Sequence, residues 1–422
     1  MAYIKTNWVD NVTMMDDDAL NKIEDGIVTL DTQLADNVQQ LATIKKQGLL
    51  LENYSHLVDE NGYWNIAIAQ AIEDCILLKQ PIIATGRYKI FADGTDTAVM
   101  IKSNVQIISP YWTYNSQVTT GFESGIFEFH GTGNAFGMLE GDGVTSNFGI
   151  VLKNIYIIDF DQTGKVGLDL KRITGSVIEN VTVVYFDTGF INDKNMWYTK
   201  IKNLCSKNAR KNGVLCTGGL NHTEIETTVS SKSLIMEYGL YVGDYASFGA
   251  KIKATVEIYS GRPAQFKKMQ SMDLDIYSEQ LGVITDYATS CVYLDDCEGG
   301  RIRVALSGTN NCIRAIQLNG CTNISISGVI HTFTEKNLYI SGVCKGINTM
   351  GLKMDDYTKT TTLTGSMGYW LGSQYIGQIT TTPDAVDYAE GDILYTRSPV
   401  LGGYIGKTNI GGVWKSFGLI ES

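Results

Sequence analysis

The sequence predicts an all-β chain built on a right-handed, single-stranded parallel β-helix, preceded by an α-helical coiled coil and followed by a small β-rich cap. Three observations predict it. One strand–turn–strand unit recurs eight times through the middle of the chain, at intervals of 22 to 26 residues. The strands of that unit alternate apolar and polar residues, and the whole chain holds only 5 Pro against 44 Gly in 422 residues. A heptad seam over residues 20–44 comes before the repeat.

The repeat appears when the apolar residue of each first strand is aligned: Leu168, Phe190, Val214, Leu240, Phe266, Val292, Ile316 and Leu338. Units open as in Gly167-Leu168-Asp169-Leu170 or Gly239-Leu240-Tyr241-Val242. A second alternating strand follows, such as Ile252/Ala254/Val256/Ile258 or Ile302/Val304/Leu306. Period-2 alternation turns one face of each strand into a core. A unit this short cannot bury that face alone, so neighbouring units must stack. Scarce Pro fits a ladder in which each N–H is used. Helical arrays would show a 3.6-residue period and a propeller about 40 residues per blade, and neither is present. Right-handedness follows from the crossover preference of parallel strands. Cys297 and Cys321 lie three residues after inward Leu294 and Leu318, and Cys344 lies four after Ile340. They are expected at one corner as packed thiols, outside any disulfide framework.

In the flanks, Leu20, Ile23, Ile27, Leu30, Leu34, Asn37, Leu41 and Ile44 step alternately by 3 and 4, an a/d seam. Asn37 within the seam favours a parallel coiled coil and self-association, against a helix lying on the chain's own β-structure. Asn65–Lys79 reads as a helix stopped by Pro81, with a strand running on to Phe91. From Thr360 the coil pattern gives way to Thr-, Gly- and aromatic-rich sequence, a cap that would cover open strand edges. The expected divisions are 1–46, an attachment segment and coiled coil; 47–149, a helix-containing lead-in with irregular first coils; 150–358, regular coils; and 359–422, the C-terminal β-rich domain.

A net charge of −11 opposes nucleic-acid binding, which rests on neutralising phosphates. No apolar run is long enough to span a membrane, and the N-terminus lacks the apolar stretch of an export signal. His56, His130, His222 and His331 lie far apart, no C-x-x-C occurs, and no phosphate-binding loop or nucleophile elbow appears. No metal and no cofactor are expected.

Outward residues of the second strands are expected to form a ladder of alternating sign: Glu226, Lys253, Asp273, Arg303, Ser325. The pentapeptides V-E-I-Y-S and L-D-I-Y-S recur on consecutive second strands and set Glu257 and Asp275 beside Tyr259 and Tyr277. Carboxylates flanked by aromatics suit sugars, and glycosidic hydrolysis needs two carboxyl groups roughly 5–9.5 Å apart, as expected one or two coils apart. Glu257, Asp275 and Asp273 are therefore the catalytic candidates. Tyr259, Tyr277, Tyr241, Tyr293, Lys253 and Arg303 are the substrate-binding candidates. Tyr241, Tyr293 and Tyr339, with Lys267 and Gln317 between them, form either a saccharide platform or a contact where three subunits meet. Lys194, Lys200, Lys202, Lys207, Arg210 and Lys211 form a basic band. Such a band either attracts an anionic polymer such as teichoic acid or simply solvates coil turns.

Three stretches carry a family resemblance. KTNWVDNVTMMDDDALNKIEDGI resembles the start of tail appendage proteins of phages infecting Gram-positive bacteria. Asn65–Phe91, a helix and a strand ending in G-x-Y-x-I, resembles the opening of the pectate-lyase-like β-helix superfamily. GGYIGKTNIGGVWKSFGLI resembles the terminus of such appendages. The resemblance implies a homotrimeric tailspike or receptor-binding protein on the virion. Its partners would be a host cell-surface glycopolymer and, through the N-terminus, other tail or baseplate proteins. Some relatives also cleave the polymer, so a depolymerase acting as glycoside hydrolase, lyase or phosphodiesterase is the alternative. No pectate-lyase catalytic signature matches, so the resemblance assigns activity to no residue. A secreted bacterial polysaccharide-degrading enzyme is a third reading, disfavoured by the N-terminal heptads.

Overall fold

The computed structural model describes residues 22, 24–30, 48–110, 125–138, 146–280, 290–307, 314–331 and most of 333–421. Within them the chain winds as a parallel β-helix. A narrow sheet of eleven parallel strands runs from Thr97–Ile101 to Thr360–Thr362. A broad sheet carries the long strands, among them Val177–Val184, Lys200–Lys207, Glu224–Ser231, Lys251–Ile258, Met269–Gln280 and Glu298–Ser307. In several coils a two-residue strand, such as Met196–Trp197 or Leu220–Asn221, comes between the two and ends in a left-handed residue.

The core is one continuous apolar column, from Leu51 and the buried face of the helix that follows it to Leu352. Leu168, Phe190, Val214 and Leu240 stack in register within it. In the next coil Ala264, not Phe266, lies beside Leu240, while Phe266 lies between Val242 and Leu294. That corrects the aligned column by two residues. A two-residue slip keeps the inward face inward, so the alternation alone does not detect it. Where glycine opens a coil it is sterically required: a Cβ at Gly213 or Gly239 would sit 2.3 or 2.4 Å from a methyl carbon of Val229 or Val256.

The helix spans Asn65–Leu78 and buries Ala67, Ile68, Ala71, Ile72 and Cys75 on one face. It stops at Lys79, which adopts φ 53° and donates its N–H to the Cys75 carbonyl. Beyond Gly365 the parallel ladder gives way to mainly antiparallel pairing, as of Gly365–Leu371 with Gln374–Ile379 and Tyr404–Ile410 with Val413–Leu419, with one parallel pair between Gln374–Ile379 and Ile393–Thr396. Of the heptad seam, Ile27 and Leu30 lie in a helical stretch and the other six positions fall outside the described residues.

Two internal ladders pin the coils. Cys297, Cys321 and Cys344 stack at one corner, each at most 1% exposed, and the Cys321 N–H donates to Cys344 Sγ at 3.3 Å. The thiol contact with Cys321, together with burial, pushes the Cys297 thiol far up. Asn154, Asn180 and Asn203 occupy left-handed bulges, and each amide of the later two donates to the carbonyl of the one before at 2.9 Å. Their spacing in the chain is the coil period, a signal that sequence reading passed over.

Candidate functional site

The second strands place their outward side chains in two parallel files. Lys200, Glu224, Lys251, Asp273, Arg301 and Ser325 share one register position. Two residues along the strands, Glu226, Lys253, Asp275, Arg303 and Ser327 share the next. The expected single ladder is thus corrected into two, since Asp273 belongs with Lys251 and Arg301, and Asp275 stands between Lys253 and Arg303. Strand slippage by two residues again preserves the outward face.

Ion pairs link neighbouring coils within these files. Lys253 reaches Glu226 at 2.8 Å, Arg303 reaches Asp275 at 3.2 Å, and Arg301 grips Asp273 through two bonds of 2.8 and 2.7 Å. The Arg301 fork holds the Asp273 carboxyl below its ordinary range, which suits a fixed anion and opposes a role as proton donor. Together the files line a groove of about 720 Å³ across six long strands, with six cations against five carboxylates.

The other candidates lie elsewhere. Glu257 pairs in register with Glu279, four residues along the strand from Asp275. At about 3.3 Å per residue that separation is roughly 13 Å, beyond the span of a two-carboxylate glycosidase. Tyr259 lies just past the end of its strand, and Tyr277 is exposed between Thr255 and Ala305. On the narrow sheet Gln265, not Lys267, separates Tyr241 from Tyr293. These rings already have partners: the Tyr241 hydroxyl donates to Asp244 at 2.6 Å, and Arg262 and Arg314 lie over Tyr293 and Tyr339 at 4.7 and 3.9 Å. The basic band is not one surface. Lys200 and Lys202 enter the groove, whereas Arg210 and Lys211 hold Asp187 at 2.7 and 2.8 Å, and Arg210 also donates to the Gln162 and Gly164 carbonyls.

Two features escaped sequence reading. Exposed rings of Tyr198, His222 and Phe248 line up beside the groove, with Trp197 next to them. A second cleft of about 680 Å³ lies between residues 92–97 and the outer face of the narrow sheet, lined by Asn134, Asp169 and Lys171. Burial pushes the Asp169 carboxyl up to about 6, against the pull of Lys171 at 3.5 Å and with the push of Asp193. A carboxyl that exchanges its proton near neutrality inside a cleft has the property of a general acid.

Known proteins resemble the chain in fold. No protein-family model and no curated protein matches it. Among solved structures, the A-module of mannuronan C-5 epimerase AlgE4 from Azotobacter vinelandii is 12% identical, with a TM-score of 0.44 over 76% of this chain and 94% of that one. ORF18 of Geobacillus virus E2 is 13% identical, with a TM-score of 0.41 over 81% of this chain and 65% of that one. A tailspike variant of E. coli bacteriophage HK620, in complex with a pentasaccharide, is 9% identical, with a TM-score of 0.40 over 82% and 74%.

Proposed function

We propose that this chain is a phage tail spike that binds a host cell-surface glycopolymer during adsorption, laying the polymer along the charged groove. The carrying observation is the groove itself: an open trough crossing six coils, with outward Lys, Arg, Asp and Glu at every coil spacing. The six strands extend it over about 24 Å at 4.8 Å per coil, long enough for several units of a polymer. The termini support the same reading through their resemblance to phage appendages. Residues 1–46 then trimerise the chain and join it to other tail or baseplate proteins, residues 47–149 lead into the coils of 150–358, and 359–422 close the far end.

Binding is tested with purified teichoic acid and capsular polysaccharide from Gram-positive cells. A protein carrying Lys251→Ala and Arg301→Ala is expected to lose at least tenfold in affinity; unchanged binding would remove the groove from the function. Light scattering on the full chain should give three times the monomer mass, and a monomer would refute the trimer.

Cleavage of the polymer is the second reading, and Asp169 is the observation that favours it. Products are followed as new reducing ends or phosphomonoesters. If they form, Asp169→Asn should abolish them, while Asp273→Asn, Asp275→Asn and Glu257→Gln test the earlier candidates in parallel.

A further inference from the structure

We propose that the aromatic corner beside the groove is a stacking subsite for one uncharged pyranose, seated over Thr174 and Gly175 against the free face of Tyr198. The proposal rests on the glycan-binding reading of the groove and names the kind of unit selected there.

The backbone supplies the first reason. Each coil enters the outward run of its long strand through one left-handed residue, which in several coils follows a two-residue strand. That residue is Gly149, Gly175, Gly249, Gly299 or Gly346 in five coils, with φ between 57° and 64°, and the small polar Asn104, Ser271 or Asn323 in three more. In two adjacent coils it is Tyr198 at φ 48° and His222 at φ 47°. Bulky side chains are disfavoured there, and such outliers concentrate where function holds them.

The rings then face outward instead of joining the core. Tyr198 is 65% exposed and Phe248 is 47% exposed. Tyr198 and His222 stack at 5.5 Å and 7°, and His222 meets Phe248 edge-on at 5.5 Å. The stack leans toward the C-terminal coils, because a Cβ at Gly249 would touch the His222 ring at 2.9 Å. A Cβ at Gly175 would meet nothing within 4 Å, so the N-terminal face of Tyr198 looks onto open space.

That space has an aromatic on each side. Phe148, Thr174 and Trp197 share one register position on three consecutive coils. Two coil spacings separate the outer pair by about 9.6 Å, which admits one ring between them at stacking separations of about 4.5–5 Å. Lys200 and Glu224, two residues after Tyr198 and His222, line the adjoining groove and supply polar partners for sugar hydroxyls. Beside the rings Lys200 and Glu224 offset one another, so this corner favours an uncharged unit whatever charge the polymer carries along the rest of the groove. Apolar C–H faces on aromatic rings, with hydroxyls toward balanced charges, describe a neutral sugar.

The probes are maltohexaose, cellohexaose and chitohexaose, with hexagalacturonate as the charged comparison. Saturation-transfer NMR reads sugar C–H contact with the rings, and calorimetry reads affinity. At least one neutral oligomer should bind the full chain. Tyr198→Ala should weaken it about tenfold, and Tyr198→Phe should keep it within about twofold. Gly175→His should weaken it as well, by laying a further ring over the free face at a position where Tyr198 and His222 are already accommodated. Binding of hexagalacturonate alone, binding of none of the neutral oligomers, or an unchanged Tyr198→Ala protein would each overturn the proposal. So would a change in oligomeric mass on Tyr198→Ala, which would make the ring a contact between copies. Loss of wall-polymer binding in the Lys251→Ala, Arg301→Ala protein, with Tyr198→Ala unaffected, removes the stacking subsite and keeps the groove.

Discussion

Asp169 should act as a pH-dependent load on the fold. Its side chain is 13% exposed, one oxygen has no hydrogen-bond partner, and the cation that reaches it, Lys171, is 3.5 Å away and shared with Asp193. Burial therefore dominates and lifts its pKa from 3.8 to about 6. The folded chain holds the proton more tightly than the unfolded chain, so stability falls as pH rises between those two values. Two units at about 1.36 kcal/mol each amount to about 3 kcal/mol, absent below about pH 4 and fully present above about pH 7. Asp169→Asn keeps the shape and removes the titration. Equilibrium urea unfolding followed by Trp fluorescence should find the Asn protein more stable at about pH 7.5, by up to about 3 kcal/mol, with this advantage gone near pH 4. A stability difference independent of pH, or an Asn protein weaker at pH 7.5, would refute the reasoning.

Other consequences are open to direct measurement. Gly239→Ala forces a methyl within 2.4 Å of Val256 Cγ1 and should lower stability by about 1–3 kcal/mol in the same urea assay. Asn180→Ala breaks the amide ladder on both sides and should cost about 1–2 kcal/mol, whereas a surface change such as Lys253→Ala should leave the urea midpoint nearly unchanged. Seven of the eight cysteines are buried as free thiols, so a thiol reagent should modify no more than one per native chain and all eight in denaturant.

The alternation and the coil period made most of the fold legible. Leu168, Phe190, Val214 and Leu240 point inward because a period-2 pattern admits one buried face, and the corner of Cys297, Cys321 and Cys344 follows from the same register. The groove was legible as a charge pattern and not as a set of partners. Alternation fixes which face a residue occupies but leaves register free in steps of two, and one such step moved Asp273 from Arg303 to Arg301.

Taken alone, the amino-acid order determined a stacked parallel array, its inward column and its outward charges, because these depend on neighbours one or two residues apart. Tertiary structure alone decided which charges pair, because pairing depends on the register between coils. It also decided that Asp169, an outward residue by pattern, lies buried in a cleft built with residues of an earlier coil. And it set Tyr198 and His222, from two separate coils, face to face beside the groove, at a turn whose left-handed backbone the local sequence does not announce.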